Sequence, residues 1–290
     1  MNVQVAFAEG MPGVSPGVYD ERDFHAVAAI VRDDAGIVLP SGKAMLVYSR
    51  LAPLVRDSGL GTFSAYVERI RADADERRKA VCALTTNHTF FYREAHHFEH
   101  FAAEARPMIL DQLQRRESVR IWSAGCSSGE ETWSLVMTLL GANRREGEVI
   151  AQANLRVLAS DIADHALARA TAARYPIRDL EAVPKPLTGA WTTPVDGDTA
   201  EVSQTARACV QFRRLNLHGD WPITRQFAVI FCRNVMIYFD QDAKERLVER
   251  FARQLMPGGF LYIGHSERVS GPAEALLTPV GPTIYRRSMR

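Results

Sequence analysis

From Val119 onward, short apolar runs alternate with stretches of helical period, and this alternation most narrows what the chain can fold into. VRIWSAG leads into EETWSLVMTLL, LRVLASD into ALARATAA, and FAVIFC into AKERLVERFARQL. MPGG then predicts a turn before a fourth run, FLYIG, and TPVGPTIYRR is expected to add one more strand. Strands alternating with helices imply βαβ units, right-handed crossovers and a parallel sheet. Residues 175–211 interrupt the pattern with prolines, polar residues and strand-like pieces (TAEVSQ, CVQF), so an inserted, mostly β subdomain is expected there.

The amino-terminal part has a different period. Phe24, Val27, Ala28 and Val31 recur at helical spacing behind Asp20, a candidate cap, and Phe63, Tyr66, Val67 and Ile70 do so behind Thr62. Residues 19–84 therefore read as a helical domain. Between these stretches SGKAMLVYSRLAPLVR looks helical, but Pro53 lacks an N–H and is expected to kink or restart the helix. The opening MNVQVAFAEGMPGVSPG has neither the basic start nor the continuous apolar core of a secretory signal, and residues 1–18 are expected to be a flexible tail. No run is long and apolar enough to span a bilayer. Cys82, Cys126, Cys209 and Cys232 form no CxxC pair and read as reduced thiols of a cytoplasmic protein. A formal net charge of +1 argues against a broad footprint for nucleic acid or anionic lipid. Nothing demands more than a monomer.

In an open parallel sheet, ligands bind beyond the carboxyl ends of the strands. After the first strand comes WSAGCSSGEE, where Gly125 lets the backbone turn tightly and approach a ligand. This is not the GxGxxG of dinucleotide sites. Glu130 and Glu131 at the following helix start would repel a pyrophosphate, whereas a ligand with an ammonium and a sulfonium suits them. After the second strand comes Asp161, placed to accept both ribose hydroxyls or simply to cap the next helix.

Six segments, in order, resemble the CheR family of chemotaxis receptor glutamate methyltransferases: TTNHTFFYREAHHF (85–98), IWSAGCSSGEETWS (121–134), LASDIA (158–163), FRRLNL (212–217), IFCRNVMIYFD (230–240) and LMPGGFLYIGHSE (255–267). The resemblance implies an all-α amino-terminal domain, a connecting segment over 85–118 that carries cofactor residues, and a Rossmann-like class I methyltransferase domain over 119–290 with the small β-subdomain inserted. It implies S-adenosyl-L-methionine as cofactor, with S-adenosyl-L-homocysteine as product. By motif position the cofactor residues would be Asn87, Thr89, Arg93, Gly125, Glu130, Asp161, Asn216, Leu217, Arg233 and Asn234. Arg233, Asn234 and Tyr238, which follow the third strand, would face the methyl group. The substrate implied is a set of glutamate side chains on the cytoplasmic domain of a methyl-accepting chemotaxis receptor.

The chemistry needs little from the protein beyond position and a dry pocket, because a glutamate side chain is already ionised at neutral pH and no general base is required. Arg93 suits the cofactor carboxylate and Glu130 its ammonium. Asn216 suits the adenine edge and Leu217 its face. His88, His96, His97 and His100 invite a zinc reading, but no HExxH or cysteine pair accompanies them, and no metal site is expected. Lys43, Arg50 and Arg56 remain of a basic helix the family presents to receptors, although Pro53 and Leu54 stand where arginines are common. Alternatives are a module that senses S-adenosylmethionine without turnover, and a methyltransferase of another chemosensory-like pathway.

Overall fold

The computed structural model describes residues 14–15 and 17–289; the expected tail over 1–18 lies largely outside the described residues. The chain divides into two compact units, one of residues up to Thr86 together with Tyr238–Ala243, the other of Asn87–Ile237 and Lys244–Arg290.

The first unit is built on four helices: α1 (Glu21–Ala35), α2 (Ala44–Asp57), α3 (Phe63–Ala72) and α4 (Ala74–Leu84). Asp20 caps α1 in a reciprocal capping box with Asp23, and Thr62 caps α3. The buried residues Phe24, Val27 and Val31 of α1, and Phe63, Tyr66, Val67 and Ile70 of α3, are the apolar stripes that the spacing marks out. Pro53 does not break α2. The helix buries Ala44, Val47, Leu51 and Val55 while Pro53 lies on its exposed side, where the carbonyl it leaves without a donor can face water. Arg50 turns inward and donates to the Ala83 and Thr85 carbonyls, so it is part of the packing of this unit.

The second unit opens with α5 (Ala95–His100), a π turn (Phe101–Ala105) and α6 (Arg106–Gln114) in succession. Its sheet consists of β1 (Val119–Ala124), β2 (Leu155–Asp161), β6 (Val210–Arg214), β7 (Phe227–Cys232), β8 (Leu255–Ile263), β9 (Leu277–Gly281) and β10 (Ile284–Arg287). They run in the order β6-β2-β1-β7-β8-β10-β9. The first five are parallel, and β10 and β9 are added antiparallel. The expected single final strand is therefore two, because Gly281 to Thr283 turn the chain back on itself. The MPGG turn lies inside β8: pairing moves from Phe227 to Val229 on β7 while β8 moves from Leu255 to Phe260. The crossovers are α7 (Glu130–Leu140) with α8 (Arg144–Gln152), then α9 (Asp164–Ala172), and α12 (Gln241–Gln254).

Every residue of α7 is buried. On one side lies the apolar core with Ile121, Val157 and Phe231; on the other the inserted segment packs through Trp191, whose indole N–H donates to the Gly141 carbonyl at 2.6 Å. That segment contains β3 (Arg174–Pro176), α10 (Lys185–Trp191), β4 (Thr192–Pro194), β5 (Thr199–Val202) and α11 (Gln204–Ala208). Its strands form a separate sheet ordered β3-β5-β4, and more of its residues are helical than extended. CVQF is not part of this sheet; it runs into β6, which pairs with β2. The four cysteines are free and buried.

Candidate active site

The carboxyl ends of β1 and β2 lie side by side, Ala124 against Ser160. The turn after β1 is held by backbone bonds from Gly125 and Cys126 N–H to the Ser160 carbonyl, at 2.8 and 2.9 Å. Gly125 has φ +75°, and a Cβ there would stand 2.3 Å from Cγ2 of Val235, so both conformation and space demand glycine. Ser127, also at positive φ, donates its N–H to Asp161 Oδ2 at 2.8 Å and its hydroxyl to the Asn87 carbonyl at 2.9 Å.

Asp161 also accepts the Ala163 N–H at 2.9 Å; Ala163 is itself the cap residue of the next helix, which has no side-chain cap, so Asp161 braces the β1 turn and its own loop and does not cap that helix. Burial pushes its carboxyl up, against the Ala163, Ser127 and Ile162 N–H groups that favour the ionised form. A carboxylate has about four acceptor positions, which leaves room for a ribose hydroxyl. The Asp161 carbonyl accepts from Leu215, placing Asn216 directly beyond the β2 tip. The Asn216 side chain accepts the His218 N–H, closing a local turn. Leu217 is buried, and its carbonyl accepts from Trp221 and Arg250.

A second group of site residues centres on Arg233, at the end of β7. Its guanidinium lies between Glu131 and Glu94, 3.3 Å from an oxygen of each, and also donates to the Arg93 carbonyl. The two carboxylates respond differently to the same distance. Burial raises Glu131 more than Arg233 lowers it. Burial also raises Glu94, but Arg233, the His265 ring and N–H, and His97 overcome that and bring it down to about 2. Glu94 is less deeply enclosed and has more donors. Glu94 Oε1 also accepts from the Asn234 side chain at 3.4 Å. Asn234 is at positive φ, and Glu267, buried, accepts its N–H together with those of Met236 and Gly264 at 3.2, 2.8 and 2.5 Å.

Glu130 is buried at the start of α7, accepts the Ser128 hydroxyl and has Arg169 3.6 Å away; burial pushes its carboxyl up. The Arg93 guanidinium is half-buried, donates to the His88 carbonyl and lies over the Phe90 ring. Thr89 is half-buried beside them. Tyr238 clusters with the helical unit, where its carbonyl accepts the Val38 N–H.

The histidines are engaged separately: His97 with the Thr283 hydroxyl, His100 with the Tyr262 hydroxyl and His96 with the Pro282 carbonyl. Among the described residues no group of three or more potential ligands is arranged to hold a metal ion.

Glu94 and Glu267 are the residues that sequence reasoning missed; Glu131 was read as an acid suited to the cofactor's cations, and only its pairing with Arg233 was not foreseen. Glu267 follows the fourth apolar run, so the rule that drew attention to Asp161, an acid at a strand tip, also points to it. Glu94 carries no such mark, since its place depends on the left-handed turn that precedes α5. Taken together, Glu94, Glu130, Glu131, Asp161 and Glu267 outnumber the single buried guanidinium of Arg233. Such an excess suits a ligand bearing a sulfonium and an ammonium and repels a pyrophosphate.

A parallel sheet with a glycine turn after β1, an acid at the tip of β2 and this excess of carboxylates defines an S-adenosylmethionine-dependent methyltransferase. Residues 87–283 match the family model described as CheR methyltransferase, SAM binding domain, and residues 22–85 the one described as CheR methyltransferase, all-alpha domain. The chain belongs to the CheR methyltransferase family, and S-adenosyl-L-methionine is its cofactor. It is 40% identical over 262 residues to a probable chemotaxis protein methyltransferase of Rhizobium etli, covering 89% of this chain and 96% of that one. Chemotaxis protein methyltransferase 2 of Pseudomonas aeruginosa is also 40% identical, covering 92% of this chain and 93% of its own. The chemotaxis protein methyltransferase of Escherichia coli is 36% identical, with 92% and 91% covered.

Proposed function

We propose that this protein transfers methyl groups to glutamate side chains on the cytoplasmic domain of a chemotaxis receptor, giving methyl esters, and that it works in the cytoplasm. The observation that carries this reading is the cluster of buried carboxylates around Arg233 at the carboxyl end of the sheet, in a chain so similar to chemotaxis protein methyltransferases. Among the described residues no helix is long and apolar enough to cross a membrane.

S-adenosyl-L-methionine supplies an electrophilic methyl group on a sulfonium. Asp161, Asn216 and Leu217 would bind its nucleoside, while Glu130 and Arg93 would take its ammonium and carboxylate, with Asn87, Thr89 and Gly125 shaping the turn around them. Arg233 holds Glu94 and Glu131 apart and so fixes the loop that carries Asn234. Asn234 would then orient the incoming glutamate, and Arg233 acts mainly as a positioning residue. For Tyr238 we propose a place near the substrate, as its motif position implies. No residue need take a proton, because the acceptor is already a carboxylate and the reaction joins opposite charges, which exclusion of water favours.

The test is incubation with methyl-labelled S-adenosylmethionine and purified receptor cytoplasmic domains, followed by alkali. Label released as methanol is the expected result. Label that stays on the receptor in base points to nitrogen methylation and defeats the glutamate reading.

A further inference from the structure

At the amino-terminal end of the same sheet, away from the acids of the methyl-transfer site, lies a cleft of about 330 Å³. Arg120 of β1 and Arg156 of β2 sit opposite each other in register, so their side chains leave the sheet on one face. Arg225, just before β7, joins them at the cleft wall, with Gln211, Leu158 and Phe227 completing it.

Like charges directly opposite on neighbouring strands are unfavourable unless something neutralises them. Several other arginines of this unit find acids, among them Arg106 with Glu146, Arg144 with Glu148 and Arg253 with Glu249. Here none of the three arginines makes an ion pair with a carboxylate among the described residues. Arg120 donates only to the Val119 carbonyl and to Asn154, and Arg156 to the Leu155 carbonyl. The charges acting on half-buried Arg120 are those of Arg156 and Arg225, both repulsive. Three guanidiniums thus converge on one concave site that supplies no counter-charge. Guanidinium forks match phosphoryl oxygens bidentately, and a row of them matches linked phosphoryl groups better than one carboxylate.

We propose that this cleft is a second binding site, for a ligand carrying linked phosphoryl groups, either a free polyphosphate or a nucleotide. Arg120, Arg156 and Arg225 take the phosphoryl oxygens. Leu158 and Phe227 give an apolar wall beside the amide of Gln211, where the nucleoside part of a nucleotide would rest.

The test is calorimetric titration of the full chain, saturated with S-adenosylhomocysteine so that its cofactor site is blocked, with inorganic tripolyphosphate and separately with guanosine triphosphate. Saturable one-to-one binding that weakens as salt is added is expected. Arg156→Gln and Arg225→Gln should each weaken it about tenfold, the scale of one lost charge-assisted contact. Their melting temperatures without probe should equal or exceed that of the parent, since each removes repulsion. Tighter binding of guanosine triphosphate than of tripolyphosphate assigns the site to nucleotides; equal binding assigns it to polyphosphate. No saturable binding of either probe, binding unchanged in both variants, or variants that melt several degrees lower would overturn the proposal.

Discussion

Replacing Arg233 with methionine should be among the most damaging single changes in the second unit. Its guanidinium stands 3.3 Å from an oxygen of Glu94 and 3.3 Å from one of Glu131, and its side chain is 2% exposed. Glu94, held at about 2 against an ordinary 4.5, measures what the surrounding donors contribute. A difference of roughly 2.5 pK units corresponds to about 3 kcal/mol. Removing one member of a buried pair typically costs about 3–5 kcal/mol, since the remaining charges lose their compensation. The sign follows from the depressed value: this stability is complete above the unfolded carboxyl's pKa and is lost as pH falls toward 2. Urea unfolding of Arg233→Met near neutral pH should thus show a loss of about 3–5 kcal/mol. Adding Glu94→Gln to Arg233→Met should recover at least about 1 kcal/mol, because it removes one uncompensated charge. A loss below about 1 kcal/mol, or a double variant no more stable than Arg233→Met, would refute the claim that this arginine anchors the site electrostatically.

Other expectations concern the turn, the acid at the tip of β2 and a histidine. Gly125→Ala should destabilise by about 1–3 kcal/mol through its Cβ against Val235 and its positive φ, and Val235→Ala should recover only the steric share, as read by urea unfolding. Asp161→Asn should weaken S-adenosylhomocysteine binding about tenfold or more, measured by calorimetry, since it alters the acceptor proposed for ribose and the Ser127 brace together. His97 is held neutral, down to about 3, by burial first and then by Arg233 and His96. A base with a depressed value stabilises the fold above its unfolded pKa of about 6.5 and loses that contribution as pH falls toward 3. His97→Gln should therefore flatten the stability profile between those limits in a pH series of unfolding curves.

The strand–helix alternation was legible because β1 and β7 are nearly continuous apolar runs buried on both faces, β2 is buried on both faces over its last three residues, and the residues of α7 that follow β1 are all buried as well. The turn at Gly125 and the acid at the tip of β2 were legible for the same reason, as breaks at the ends of such runs. Pro53 misled because a proline's effect on a helix depends on which side faces water, and that is decided by partners distant in sequence. CVQF misled because a short edge strand carries the same local pattern whether it pairs within an insertion or with β2. The network around Arg233 joins Glu94, Glu131, Asn234 and Glu267 from four separate segments, and no local spacing encodes it.

The buried thiols give this molecule a built-in clock for its own opening. Burial pushes Cys209 up to about 11 and Cys126 and Cys232 further, so the native state holds almost no reactive thiolate at ordinary pH. A maleimide or disulfide reagent must then wait for a fluctuation that exposes sulfur, and its uptake counts such events. Cys82 is the thiol of the helical unit and the other three belong to the sheet unit, so peptide mapping of the modified sites would time the two units separately in one experiment.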